Sequence, residues 1–303
     1  MSTVPDNPPI AAAVQGGWRD YLELTKPKVS LLIVFTAIVG MVLASPGWIP
    51  LNALILGSLG IALASGSAAA FNHILDRRID GQMNRTRRRP LPAGHMQESH
   101  AAAFAVTLAL ASISILWAGV NGLTAVLTFC SLIGYAIVYT MWLKRATPQN
   151  IVIGGAAGAA PPVLGWAAVT NSIDPNALVL FLIVFTWTPP HFWALAIARR
   201  DDYAKVGIPM LPVTHGIPYT RWQIVLYTIL LILATLLPFL TRMSGLIYLA
   251  AAVALNARFL YFVMALNKGV RPELPIRTFR FSITYLMLLF AALILDHYLY
   301  FPV

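Results

Sequence analysis

The amino-acid sequence predicts an all-α polytopic membrane protein of nine transmembrane helices, with its N-terminus in the cytoplasm and its C-terminus outside. Three observations predict it. Only 11% of the 303 residues are charged and 58% are hydrophobic, whereas a soluble domain carries roughly a quarter charged residues. Apolar runs of about twenty residues recur, long enough for helices and too long for barrel strands. Of the 21 lysines and arginines, all but Arg242 and Arg258 fall on one side of the alternating loops, and that side is the cytoplasmic one.

The apolar runs cover approximately residues 28–45, 51–75, 100–118, 122–143, 150–170, 176–198, 222–240, 243–266 and 281–300. Arg19, Lys26 and Lys28 precede the first. Arg77, Arg78, Arg85, Arg87, Arg88 and Arg89 follow the second, and Lys144 and Arg145 follow the fourth. Arg199, Arg200, Lys205 and Arg221 follow the sixth, and Lys268, Arg271, Arg277 and Arg280 follow the eighth. This asymmetry requires an odd number of spans. The loops on the other side are short and punctuated, as in Ser45-Pro-Gly-Trp-Ile-Pro50 and Asn121-Gly122. Residues 1–27 read as a polar cytoplasmic arm without the apolar core of a cleavable signal, and residues 28–303 as a single transmembrane domain.

Composition also excludes some functions. The net charge of +10 does not point to nucleic acid, because the basic residues sit in loops between spans, where topology explains them. Cys130 is the only cysteine, so neither an intrachain disulfide nor a cysteine-based metal site can form. No glycine-rich nucleotide loop, Ser-His-Asp set or His-Glu-x-x-His motif is present.

The polar chemistry concentrates where even-numbered runs end. Asn72, Asp76 and Asp80 recur every four residues, which places them on one slowly drifting helical face. At about 1.5 Å per residue they form a ladder roughly 12 Å long. Ionisable groups where a chain leaves the bilayer are costly and usually have a task. Two carboxylates and an amide suit Mg²⁺, which takes one or two carboxylates together with waters and a substrate's phosphate oxygens. The plainer reading is a helix end whose Asp76 and Asp80 pair with Arg77, Arg78 or nearby arginines. Gly81 is placed to end this helix. Beyond it, Arg85, Arg87, Arg88 and Arg89 offer planar donors suited to bidentate phosphate contacts; topology alone would also account for some of them.

Two further corners lie on the same side. Lys144-Arg-Ala-Thr-Pro-Gln-Asn150 leads into Gly154-Gly155, Gly158 and Pro161-Pro162, where small residues allow close helix approach and paired prolines kink the segment. Trp187-Thr-Pro-Pro-His191-Phe-Trp193 runs on to Arg199-Arg-Asp-Asp202-Tyr203-Ala-Lys205. His191 either satisfies a backbone carbonyl freed by proline or contacts a flat, metal-containing or anionic substrate. His73 neighbours the ladder but points about 100° away from Asn72. His95, His100, His215 and His297 have no comparable setting. Asp76-Arg-Arg-Ile-Asp80 and Ala198-Arg-Arg-Asp-Asp202 form a weak internal echo, each followed by a proline pair.

Asn72-x-x-x-Asp76-x-x-x-Asp80 resembles the first aspartate-rich motif of the UbiA-type intramembrane prenyltransferases. Other blocks resemble the haem-farnesylating branch of that family, the protohaem IX farnesyltransferases. They are Met83-x-Arg-Thr-x-x-Arg-Pro-Leu-Pro-x-Gly94, Lys144-Arg-x-Thr-Pro-Gln-Asn-Ile-Val-Ile-Gly-Gly155 and Gly158-Ala-Ala-Pro-Pro162. Pro189-Pro-His-Phe-Trp-Ala-Leu-Ala196 and Asp202-Tyr-x-x-x-Gly-Ile-Pro-Met-Leu-Pro212 complete the set. The resemblance runs from about residue 20 to 300. One departure is clear. Many members carry a second Asp-x-x-x-Asp ladder after the sixth helix, where this chain reads Arg199-Arg-Asp-Asp-Tyr203.

The resemblance implies a UbiA-type bundle in a bacterial-type inner membrane, with farnesyl diphosphate and protohaem IX as substrates and Mg²⁺ as cofactor. It implies that Asn72, Asp76 and Asp80 hold the metal and carry catalysis, and that Arg85, Arg89, Lys144 and Arg145 bind the diphosphate. His191, Arg199, Arg200, Asp202, Tyr203, Lys205 and His73 are the haem-contact candidates. A partner consuming the product, or a terminal oxidase, is expected from the family. A prenyltransferase acting on a quinone-precursor ring and a transporter are the competing readings; polar chemistry confined to one face argues against the transporter.

Overall fold

The computed structural model describes residues 16–269 and 271–299. Among the described residues nine helices are long and apolar enough to cross a membrane, and there are no strands. They are α1 (Pro27–Ala44), α2 (Ala53–Asp80), α3 (Glu98–Gly119), α4 (Gly122–Ala146) and α5 (Asn150–Thr170). They continue with α6 (Pro175–Ala198), α7 (Gly216–Leu240), α8 (Leu246–Lys268) and α9 (Leu274–Tyr298). Each predicted run is one of these helices. The largest discrepancies are at charged ends: α2 continues to Asp80, α7 begins at Gly216 rather than 222, and α9 at Leu274 rather than 281. Turns bearing Arg77, Arg221, Arg277 or Arg280 are helical but too polar for hydropathy to include. Of the arm read over residues 1–27, residues 1–15 lie outside the described residues. Trp18–Leu24 is a short helix whose Leu24 is buried in a cluster with Ala70, Met96 and Ala101.

Consecutive helices pack side by side, and α9 returns to touch α1, which closes the bundle into a ring. At the closure the His297 ring meets the Ser45 carbonyl at 3.1 Å. The end of the bundle where α1 begins and α2, α4 and α6 finish is termed here the basic end. Between α2 and α3, hydroxyls cross to backbone carbonyls: Ser67 Oγ donates to Ala105 at 2.8 Å and Ser112 Oγ to Gly60 at 2.7 Å. Such bonds and small side chains supply the helix affinity that a hydrophobic effect cannot provide in lipid.

α5 breaks at Ala160, ahead of Pro161-Pro162, as the proline pair predicts. Its second half lies backbone-to-backbone on α1. A Cβ at Gly165 would overlap the Ala37 carbonyl, and one at Gly40 the Pro162 carbonyl. By contrast α6 passes through Pro189 and Pro190 without interruption, with Thr186 and Thr188 hydroxyls bonding carbonyls of the preceding turn. α4 widens into π-helical turns over Gly134–Leu143. Gly81 ends α2 as its C-cap, as expected, with a right-handed backbone at φ −65°, and the chain leaves through a series of turns.

α7, α8 and α9 share a buried polar chain. Tyr285 donates to Asn256 at 2.6 Å, Asn256 to Thr235 at 2.9 Å, and Tyr248 to the Thr235 carbonyl at 2.8 Å. Asp296 on α9 accepts the Gly245 and Tyr248 amides, capping the start of α8.

The α1–α5 contact gives a direct test of packing. Gly165→Ala should destabilise the bundle by about 1–3 kcal/mol, as overpacking does, and lower the thermal midpoint in detergent. Gly158→Ala, where a Cβ meets open space, should leave it unchanged.

A charge-compensated ladder as the candidate active site

Because α2 runs on to Asp80, the whole ladder is helical, and all three side chains are buried: Asn72 6%, Asp76 2% and Asp80 4% exposed. Burying a carboxylate costs several kcal/mol unless a cation or hydrogen bonds compensate it. Here the compensation comes from three separate places. Lys144, at the end of α4, donates to Asp76 Oδ2 at 2.5 Å, and Arg89, from the loop after α2, reaches Asp80 Oδ2 at 2.6 Å. Lys26, just before α1, donates to Asn72 Oδ1 at 2.6 Å, while Asn72 Nδ2 donates to Asp76 Oδ2 at 2.7 Å.

Sequence reasoning found the ladder, Arg89 and Lys144, but counted Lys26 only toward topology. Lys26 adopts a left-handed backbone with φ 49°, a conformation that persists in non-glycine residues only where the surroundings enforce it. Burial, followed by the charge of Arg89, lowers its pKa to about 7, against the opposing pull of Asp76. A lysine directly before the proline that opens a span was the available signal. Of the plainer reading, pairing with Arg77 or Arg78 does not occur among the described residues, since Arg77 pairs with Glu98 at 2.8 Å, but pairing with a nearby arginine does, in Arg89–Asp80.

The π-helical stretch of α4 contributes Thr140, which accepts from Asn72 at 3.4 Å and donates to the Tyr135 carbonyl at 2.8 Å. Tyr135 and Tyr139 stack at 5.4 Å, and Tyr139 lies flat on Gly154, where a Cβ would strike the ring. That contact accounts for Gly154, while a Cβ at Gly155 would crowd Thr188 of α6.

The loop after α2 and the segment after α6 meet at the basic end. Met83 and Tyr203 are buried in one cluster, and Asn84 donates to Asp202 at 3.4 Å. Burial pushes the Tyr203 hydroxyl pKa up, and Arg85 and Arg89 pull it down. Arg200 is tied to the Pro212 carbonyl at 3.1 Å and to Asp201. Arg85, Arg145, Arg199 and Lys205 are exposed and form no ion pair among the described residues.

His191 occupies an aromatic box on α6. Trp187 stacks on one face at 4.2 Å and Phe279 of α9 at 4.5 Å. Its Nδ1 meets Ser282 Oγ at 2.6 Å, so the carbonyl freed by proline is not its partner. His73 is buried with both ring nitrogens unpartnered.

The ladder suits a divalent cation shared with a ligand. Mg²⁺ takes a few carboxylates plus phosphate oxygens, and the ladder offers two carboxylates. Asp76 Oδ1 is buried without a hydrogen-bond partner, leaving one carboxylate oxygen available as a ligand. Two apolar grooves open between the helices. One, of about 330 Å³, is lined by Thr25, Leu31, Val34, Leu63 and Leu108 beside Lys26. The other, of about 350 Å³, lies between α4, α5 and α6.

The sequence and the fold are similar to those of known proteins. The model of the UbiA prenyltransferase family matches residues 33–295. The chain is 62% identical over 289 residues to the protoheme IX farnesyltransferase of Alkalilimnicola ehrlichii, covering 95% of this chain and 96% of that one. Its fold is similar to a digeranylgeranylglyceryl phosphate synthase structure (TM-score 0.77, 19% identity, 92% of this chain and 98% of that one). It is also similar to a UbiA homologue from Archaeoglobus fulgidus bound to DMAPP and Mg2+ (TM-score 0.64, 17% identity, 90% and 99% covered).

Lys144→Met should leave Asp76 as an uncompensated buried charge and cost about 3–5 kcal/mol, read as a lower unfolding midpoint in detergent. Combining it with Asp76→Asn should recover part of that loss, a coupling that a double-mutant cycle measures.

Proposed function

The chain belongs to the UbiA prenyltransferase family, and we propose from that premise how its residues carry out farnesyl transfer to haem. The reaction moves the farnesyl group of farnesyl diphosphate to a vinyl group of protohaem IX, with addition of water, and yields haem O. The observation that carries the residue assignment is the ladder itself, two buried carboxylates with one unpartnered oxygen amid three cations.

Asn72, Asp76 and Asp80 would hold Mg²⁺. When bound, that ion supplies Lewis-acid and electrostatic stabilisation of the diphosphate. Lys26, Arg85, Arg89, Lys144 and Arg145 bind the remaining phosphate oxygens, and Arg85 and Arg145 have no competing ion pair among the described residues. These donors stabilise the charge that develops on the leaving diphosphate as the allylic C–O bond breaks. The vinyl carbon of haem then bonds to the allylic carbon, and water adds to the resulting cation and loses a proton.

The apolar groove beside Lys26 gives the fifteen-carbon chain a path into the bilayer. Burial at about 0.8 kcal/mol per methylene-sized unit anchors it there. His191 contacts the haem, with His73 and Tyr203 nearer the mouth. Arg199, Lys205 and Arg200, flanked by Asp202, face the propionates, which suit guanidinium donors. The absence of a second four-spaced carboxylate pair fits this assignment of the segment after α6 to the porphyrin. The loop charge asymmetry supports a site that faces the cytoplasm, and the family supports a bacterial-type inner membrane. The product passes from there to a haem O-consuming enzyme or a terminal oxidase.

Membranes incubated with haem, farnesyl diphosphate and Mg²⁺ should yield a farnesylated, mass-shifted haem. Asp76→Asn and Asp80→Asn should each reduce that product at least about 100-fold, since transition-state electrostatic groups are worth that much, with haem B content unchanged. Wild-type product from either variant would remove the ladder from catalysis.

A further inference from the structure

The aromatic box contains a proton count that fixes the chemistry of His191. Ser282 Oγ lies 2.7 Å from the Phe279 carbonyl oxygen and 2.6 Å from His191 Nδ1. Two oxygens that close need a proton between them, and the carbonyl has none, so the single hydroxyl hydrogen of Ser282 points to Phe279. The contact with His191 needs a proton too, and Ser282 has no second one. Nδ1 therefore carries the hydrogen and donates to Ser282 Oγ. In a neutral imidazole the other nitrogen, Nε2, is then the one with the lone pair.

The surroundings leave that lone pair one kind of use. Trp187 and Phe279 cover the two ring faces at interplanar angles of 18° and 27°, and Phe192 meets the ring edge-on at 5.3 Å. The backbone carbonyl of Ser282 accepts the Trp187 indole N–H at 2.8 Å, so one residue of α9 holds both the imidazole and its stacking partner. Among the described residues Nε2 has no hydrogen-bond partner, and unlike the ring nitrogens of His73 it is not a sealed, unpartnered atom. A lone pair accepts protons or binds metal. It cannot donate to a propionate.

We propose that Ser282 is a positioning residue that locks His191 in the Nδ1–H tautomer, so that Nε2 ligates the iron of the haem substrate rather than bonding its carboxylates. This rests on the assignment of His191 to the haem. A hydrogen bond from the distal nitrogen of a metal-bound imidazole orients the ring and raises its basicity, and its loss typically weakens metal affinity 10–100-fold.

The test is haem B titration of the purified full-length chain in nanodiscs, followed by the Soret band and by the iron–histidine stretch of the reduced complex. Wild type should show both signatures; His191→Ala should lose them and regain a Soret shift with added imidazole. Ser282→Ala should bind haem 10–100-fold more weakly with a shifted iron–histidine stretch, while farnesyl diphosphate affinity stays unchanged. Ser282→Thr, which keeps the hydroxyl, should behave as wild type. Should Ser282→Ala fail to fold, Ser282→Cys gives the same reading, because sulfur is a poorer acceptor at nearly the same size. If His191→Ala binds haem with the wild-type spectrum, the haem assignment of His191 falls. If His191→Ala loses the signature but Ser282→Ala keeps wild-type affinity and stretch, the role of Ser282 is overturned.

Discussion

Two carboxylates buried in a low-dielectric interior must find positive charge, and that requirement shapes the basic end of the bundle. Asp76 and Asp80 lie on one helix, but the groups that neutralise them and extend their network come from the residue before α1, the end of α4 and the loop after α2. Three stretches of chain are thereby drawn to one point. The loop that delivers Arg89 also brings Asn84 to Asp202 and buries Met83 in the same core cluster as Tyr203, so charge compensation and the meeting of these two segments are one structural event. A metal-bound diphosphate at this place would replace cation–carboxylate pairs by metal–carboxylate and cation–phosphate pairs, a like-for-like exchange of strong interactions.

Much of this was legible in the sequence, and the illegible parts share a cause. The nine spans, the ladder and the break ahead of Pro161 follow from local periodicity and local chemistry. The partner of Asn72 is Lys26, 46 residues away, and that of His191 is Ser282, 91 residues away. No spacing rule reaches across such distances. Arg77 and Arg78, adjacent in sequence to the carboxylates, are natural candidates by proximity, yet helix geometry turns Arg77 toward Glu98. The π-helical turns of α4 bring Thr140 to the ladder but carry no compositional mark. Helix ends were underestimated at α7 and α9 because hydropathy reports the bilayer, whereas the backbone continues its hydrogen bonding into the polar zone.

Two modes of packing divide the ring. Between α1 and α5 the backbones touch through Gly40 and Gly165, and the Gly165–Ala37 contact leaves no room for a methyl group. Around α7, α8 and α9 the spacing is filled by Phe259, Tyr285 and Phe290 and stitched by the Tyr285–Asn256–Thr235 chain. Tight backbone contact limits relative movement of α1, which begins directly after Lys26. Bulky, hydrogen-bonded packing gives the other side a firm wall against which the His191 box is built.

The closure of the ring has a further consequence. With nine helices, every neighbouring pair joined by a loop runs antiparallel, but α9 and α1 run parallel, as the meeting of His297 with the carbonyl of Ser45 at their shared far end requires. Antiparallel neighbours set opposite ends of their macrodipoles side by side; at this seam like ends coincide. No loop joins them directly, so non-covalent contacts such as that of His297 with the Ser45 carbonyl hold the first and last helices together. An odd-membered ring of this kind must contain one such parallel joint, and here it falls where the covalent chain contributes nothing to holding the two helices together.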